Sequence, residues 1–376
     1  MSIDDFIYKK YIVRDNVLED LIKPIDKLIG DVCYDYGLTL NIISTNYVFP
    51  RIIGCDKENI LIWDQTYWEI FRQFLIYLTD LSAIKEKSVI YNDDFAQPLI
   101  LIPLTYYLAM IVKDKKIAFN FANYYKFRMQ RRQVFLVNTS LNAISRYIEI
   151  AKIYVSVHEQ IHFMYKNNKI QKLSDLKSIE DMLDIVYRLF ESYDEAYCKE
   201  KYLKSKSELL EIVNFVRNND DLKEELLCDT YSLNNCIESY RNALKKEYSE
   251  KKIFTRCLEA VQIVNYYNSI LILLKTFWQE CNCNIDEISI QHKAISSRMY
   301  LFDVISAIQI VKQDLQDYQD KEFCNYSSFE DNYMLEEIIH TYFFDEKAVK
   351  YWKNISLSND YEKITDKDIY ELLQWR

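Results

Sequence analysis

The chain reads as a predominantly helical α+β protein, with a small N-terminal sheet followed by a C-terminal helical array. Three observations predict this. The glycines, Gly30, Gly37 and Gly54, all fall early, and no proline follows Pro103. Tight hairpins need residues that accept positive φ or pre-set a turn, so the long remainder suits helices joined by polar turns such as Asn167-Asn168 and Asn218-Asn219-Asp220-Asp221. Short apolar runs between residues 38 and 63 are β-like, and from Leu141 the apolar residues recur at helical spacing instead.

Taken in order, residues 1–30 pattern as one or two amphipathic helices. Leu38–Ile43, Arg51–Gly54 and Asn59–Trp63 read as strands, and a helix is expected over 67–81. A short strand is expected near 89–91. The most apolar window, 98–112, carries Pro103 and is shorter than the ~20 residues that span a bilayer, so a buried helix is expected there. Residues 117–121 and 133–137 read as two more strands, the second as a sheet edge onto which an extended peptide could add. Helices then fill the remainder, over roughly 139–165, 178–216, 221–247, 252–280, 290–318 and 332–351. A soft boundary separates a mixed part, 1–138, from a helical part, 139–376, the two expected to build one catalytic unit.

Composition narrows the function. A net charge of −10 argues against general nucleic-acid affinity. The 9 cysteines are scattered, with Cys281-Asn282-Cys283 the tightest pair, so neither a zinc ribbon nor a disulfide framework is indicated. The first residues, Met1-Ser2-Ile3-Asp4-Asp5-Phe6, lack a basic stretch followed by an apolar one. A cytoplasmic protein that does not engage membranes is the expectation.

The strongest chemical signal is His158-Glu159-Gln160-Ile161-His162, an HExxH pattern in a chain with 4 histidines. On a helix, four residues advance about 6 Å and roughly 400°, so both imidazoles leave one face a turn apart and can reach one zinc ion. Glu159 lies around the helix from them, placed to act as general base toward the attacking water. Thr139-Ser140 offer caps, and Leu141, Ile144, Ile148, Ala151, Val155, His158, His162 and Tyr165 share the inward face. The competing structural reading is a pair of satisfied core histidines.

A catalytic zinc usually takes three protein ligands and leaves one position open. Glu225 is the candidate third ligand, with Glu191 and Glu195 next in line. A capping box at Asp221-Leu222-Lys223-Glu224 would start its helix. Asp229, one turn on, would accept the Nδ1–H of a ligand histidine, His158 for preference, and small Cys228 and Ser232 would let two helices approach closely.

Together, HExxH and the downstream Glu225-Leu226-Leu227-Cys228-Asp229 resemble gluzincin zinc metallopeptidases, in particular the soluble phage-exclusion Lit-type peptidases and, more distantly, the HtpX and CAAX-prenyl protease families. His292-Lys293-Ala294-Ile295-Ser296-Ser297-Arg298 has the H-x5-R spacing those families carry, although Lys293 replaces their usual proline. The resemblance implies a zincin-like active-site helix beside a sheet. It also implies hydrolysis of a protein substrate, with a possible anti-phage role, and contacts from His292 and Arg298 to the developing oxyanion or substrate carbonyl. His340 or a tyrosine competes with His292 for that auxiliary role.

The rival reading is a non-enzymatic helical sensor or binding protein. It would use zinc structurally, or bind nucleic acid through the basic stripe of residues 113–132. Lys113, Lys115, Lys116, Lys126, Arg128, Arg131 and Arg132 interleave there with Phe119, Phe121, Tyr124, Tyr125 and Phe127.

Overall fold

Strand β3 (Glu58–Asp64) is the centre of the sheet because it is apolar on both faces: Ile60, Leu61, Ile62 and Trp63 are all buried. Strand β1 (Thr39–Ile43) pairs with it in parallel, Thr39 opposite Ile60, and β2 (Arg51–Cys55) pairs antiparallel on its other side, Arg51 opposite Ile62. The three expected strands therefore form, in the order β1-β3-β2. The structure, a computed structural model, describes residues 38–43, 49–55, 58–64, 67–75, 101–130, 141–166, 172–202, 204–244, 249–280, 285–312, 340–354 and 364–373. The helices expected over 1–30, the strands near 89–91 and 133–137, and the Thr139-Ser140 cap lie outside them.

The architecture is a predominantly helical α+β fold. Helix α1 covers residues 67–75. Helices α2 (Leu101–Ile111), α3 (Lys115–Gln130), α4 (Leu141–Lys166), α5 (Lys172–Ser192), α6 (Glu195–Tyr202) and α7 (Lys206–Arg217) follow. Then come α8 (Asp220–Leu244), α9 (Glu250–Lys275, continued by the wider turn Thr276–Glu280) and α10 (Ile285–Lys312). A second wide turn, His340–Phe344, leads into α11 (Glu346–Asn354), and α12 (Asp366–Leu373) is the last described element.

The chain divides into two compact units. The first comprises Met1–Glu149, Tyr266–Ile288 and Asn332–Arg376. Its core is aromatic. Trp63, Tyr67, Trp68, Phe71, Phe74 and Tyr267 pack in tilted and edge-on pairs with centroids 4.8–6.0 Å apart, the geometry ring quadrupoles favour. Their polar ends are satisfied within the same unit: the Tyr67 hydroxyl donates to Asn268 at 2.7 Å and that of Tyr107 to the Leu271 carbonyl at 3.0 Å. Every residue of α2 is buried, as its unbroken apolar run predicts, and Pro103 sits in its first turn where no helical N–H is lost.

The strand expected at 117–121 is instead part of α3. Ala118, Phe121, Ala122 and Tyr125 are its buried positions, the i, i+3, i+4, i+7 spacing of a helix face, and the short apolar run masked that longer period. Phe121 packs on Trp278 and Trp352, and Tyr125 on Tyr106. These two rings of the basic stripe are committed to the core and cannot stack on bases.

The second unit comprises Ile150–Asn265 and Ser289–Asp331. The helical stretch expected over 178–216 consists of three helices, α5, α6 and α7. Ser205 caps α7 in a reciprocal box: the Ser205 backbone N–H donates to Glu208 at 2.7 Å and the Glu208 N–H to Ser205 Oγ at 3.2 Å. Helix α8 is capped by Asn219, whose Oδ1 accepts the Leu222 N–H at 3.1 Å, and not by the Asp221 box; Asp220 and Asp221 occupy its first turn, where the helix dipole favours them. Helix α5 packs on α7 and α8. Among the described residues, one stretch, Lys252–Trp278, is long and apolar enough to cross a membrane, and 67% of its apolar window is buried in protein contacts.

Candidate metal centre

Helices α4, α8 and α10 of the second unit bring the predicted residues together. Helix α4 carries His158 and His162 on one face, with ring centroids 4.8 Å apart. Beside them, Val157 and Ile161 pack on Cys228 of α8, and this apolar strip holds the two helices in register. Cys228 is completely buried.

Glu225 faces both rings. His162 Nε2 lies 3.2 Å from Glu225 Oε1, and His158 Nε2 lies 3.6 Å from Glu225 Oε2. Ligand atoms at 2.0–2.2 Å from one tetrahedral ion are about 3.3–3.5 Å apart, so this donor set already has the spacing of ligands that share an ion. The far side of the His162 ring is fixed by Glu224, whose Oε1 lies 2.7 Å from Nδ1. Sequence reasoning missed that role, although the adjacent glutamates Glu224-Glu225 were the available signal.

Asp229 also enters the cluster, though not through the expected nitrogen. Its Oδ1 lies 3.2 Å from His158 Nε2, the nitrogen that also faces Glu225, whereas Nδ1 faces Glu159 at 3.7 Å. The stronger partner of Asp229 is Arg298, through two hydrogen bonds of 2.7 Å. Arg298 Nη1 makes an ion pair with Glu225 as well. Arg298 is thus placed as a counter-charge to two carboxylates. The Tyr154 hydroxyl completes the group: it donates to Asp229 Oδ1 and lies 2.9 Å from Asn265 Oδ1.

The other expected residues have surroundings of their own. His292, six residues before Arg298 on α10, lies 3.5 Å from Ser296 Oγ. A separation of six residues turns it about 240° from Arg298 around the helix. His340 belongs to the first unit, edge-on to Phe344. Glu195 holds the Lys206 N–H and Lys199, and Glu191 is exposed, so neither fallback ligand joins the group.

Charge explains how the group behaves. Glu159, Glu224, Glu225 and Asp229 surround two imidazoles and one guanidinium, an excess of negative charge in a half-buried site. Burial disfavours a charged His158 ring, but its contacts with Asp229 and Glu159 and the charge of Glu225 outweigh this and raise its pKa to about 10. Burial likewise opposes ionisation of Asp229, yet Arg298 and His158 hold its carboxyl down at about 2. Glu225 is held well below the usual carboxylate range, with burial opposed by Arg298 and both histidines. A site that retains a proton this strongly for electrostatic reasons suits a divalent cation equally well. His158, His162 and Cys228 also offer ligand atoms within 4.8 Å of one another, a group that could hold a metal ion.

No protein-family model, curated protein or solved structure matches the chain.

Proposed function

We propose that the chain is a zinc-dependent peptidase whose metal is held by His158, His162 and Glu225. The observation that carries this reading is the convergence of Glu225, from a second helix, on both HExxH imidazoles at 3.2 and 3.6 Å. A zinc ion there would supply Lewis acidity toward a substrate carbonyl and acidify a water molecule.

The remaining chemistry belongs to the side chains. Glu159 takes the proton of the attacking water and passes it to the leaving amine. Its carboxylate is part-exposed beside His158, so it can reach solvent and substrate alike. Glu224 orients His162, and Arg298 with Asp229 neutralises and fixes the wall of the site behind His158. The substrate is a protein segment, and the resemblance to phage-exclusion peptidases favours a host protein cut at one site in antiviral defence.

Zinc stoichiometry on protein purified without added metal, beside His162→Ala, Glu225→Ala and Glu159→Gln, tests this reading. It expects about one zinc per wild-type chain, loss of zinc in the first two variants and zinc retained in the third. Glu159→Gln should then abolish hydrolysis of any cleaved protein. A protein that takes up no zinc even when metal is supplied would return the histidines to a purely structural role.

A further inference from the structure

We propose that Cys228 is a fourth ligand of this metal site, and that its thiolate keeps the site closed by occupying the position an attacking water requires. The inference rests on the metal-binding reading above and assigns a resting form to the same site.

Position is the first argument. Cys228 Sγ lies in the same group as the two histidine nitrogens, with all three atoms within 4.8 Å of one another. On α8 it follows Glu225 by three residues and precedes Asp229 by one, so Cys228 shares the face that α8 turns toward the HEQIH helix. Zinc–sulfur and zinc–nitrogen bonds of about 2.3 and 2.0–2.1 Å put tetrahedral ligand atoms roughly 3.5 Å apart. The three separations are at most 4.8 Å, so little more than 1 Å remains to be closed, a distance that rotation about one side-chain bond can cover.

Surroundings are the second argument. Cys228 is fully buried against Val157 and Ile161, so no water competes with its sulfur on that side. A dication bound there would favour the thiolate, because a coordinating thiol is deprotonated outright. The exchange is balanced without any oxidant. The S–H bond breaks heterolytically, the sulfur lone pair goes to the metal, and the proton leaves to solvent. A soft sulfur donor also selects zinc over magnesium or calcium.

The consequence is a site with two forms. With His158, His162, Glu225 and Cys228 all bound, it is a closed four-coordinate centre of the structural type. Withdrawal of Cys228 alone leaves three ligands and one open position, the arrangement hydrolysis needs. The residues that differ between the rival structural and catalytic readings are then reduced to one side chain.

X-ray absorption at the zinc edge of the full-length protein, loaded with one equivalent of zinc, tests this directly. The wild type should show one sulfur scatterer at about 2.3 Å beside nitrogen and oxygen at about 2.0–2.1 Å, and Cys228→Ser should lose the sulfur shell. Cobalt loading gives a second readout in the wild type, a near-ultraviolet thiolate-to-metal charge-transfer band, so the test stands even where the variant misfolds. Zinc bound at full stoichiometry with only nitrogen and oxygen neighbours would overturn the role of Cys228 while leaving the peptidase reading intact. Failure to bind zinc at all would overturn both.

Discussion

Arg298 grips Asp229 in parallel, Nε to Oδ2 and Nη2 to Oδ1 at 2.7 Å each, so a guanidinium on α10 and a carboxylate on α8 form a planar fork beside His158. Asp229 is fully buried, which makes the pair hard to break from one side only. Arg298→Ala should destabilise the protein by about 3–5 kcal/mol, because it strands a buried carboxylate. Arg298→Lys should recover only part of this, since an ammonium cannot reproduce the fork. Replacing both residues, Arg298→Met with Asp229→Leu, should cost less than Arg298→Ala alone. Chemical denaturation of the set checks the prediction, and equal losses in the single and double variants would contradict it.

Glu224 controls His162. Removing the carboxylate that faces Nδ1 at 2.7 Å leaves the ring free to rotate. Glu224→Gln should weaken metal affinity about 10–100-fold while leaving stoichiometry unchanged at saturating metal. Competition with a chromophoric chelator measures this, and an unaltered affinity would show that Glu224 has no part in the site.

Tyr154 links α4 to both α8 and α9 through its hydroxyl. Burial and the neighbouring Asp229 carboxylate keep that hydroxyl protonated, so it acts as a donor throughout the accessible pH range. Tyr154→Phe should cost about 1–3 kcal/mol, the penalty for leaving buried acceptors short of a partner. A thermal or urea melt reads the loss, and an unchanged midpoint would refute it.

Asp303 makes stability depend on pH in a direction opposite to that of Asp229. Burial, with the Asp229 charge adding to it and the 2.8 Å hydrogen bond from Gln262 opposing it, raises its pKa to about 7. An unfolded chain releases the same proton near pH 4. The folded state therefore holds an extra proton between those values, and Asp303 destabilises the fold progressively as pH rises from about 4 to about 7. Asp303→Asn keeps an acceptor for Gln262 without the charge. It should be more stable than the wild type at pH 8, by of order 1–3 kcal/mol, with the gap closing toward pH 4. Denaturation midpoints at both pH values decide the matter.

Much of this arrangement was legible from local pattern. The three strands, the buried helix around Pro103 and the HEQIH helix each follow from the period of their apolar residues. Glu225 and Asp229 could be placed on one helix face because i, i+4 spacing is a local property. The strand expected at 117–121 failed for the converse reason. Five residues of an apolar run fit either period, and it was the packing of Phe121 against Trp278 and Trp352 that selected a helix. The start of α7 within 178–216 was readable in Ser205-Lys206-Ser207-Glu208, a capping box.

By itself, then, the sequence determined the helical class, the place of the sheet and the residue types available for a metal site, since these depend on periodicity and on side chains within one turn of each other. The tertiary structure alone decided their partners: Glu224 for His162, Arg298 for Asp229 and Glu225, and Tyr154 for Asp229. Those pairings join residues 62 to 75 positions apart along the chain, from His162–Glu224 to Tyr154–Asp229. No local rule encodes such contacts. They are set by how apolar helix faces interlock, and the charges then settle into whatever compensation that packing permits.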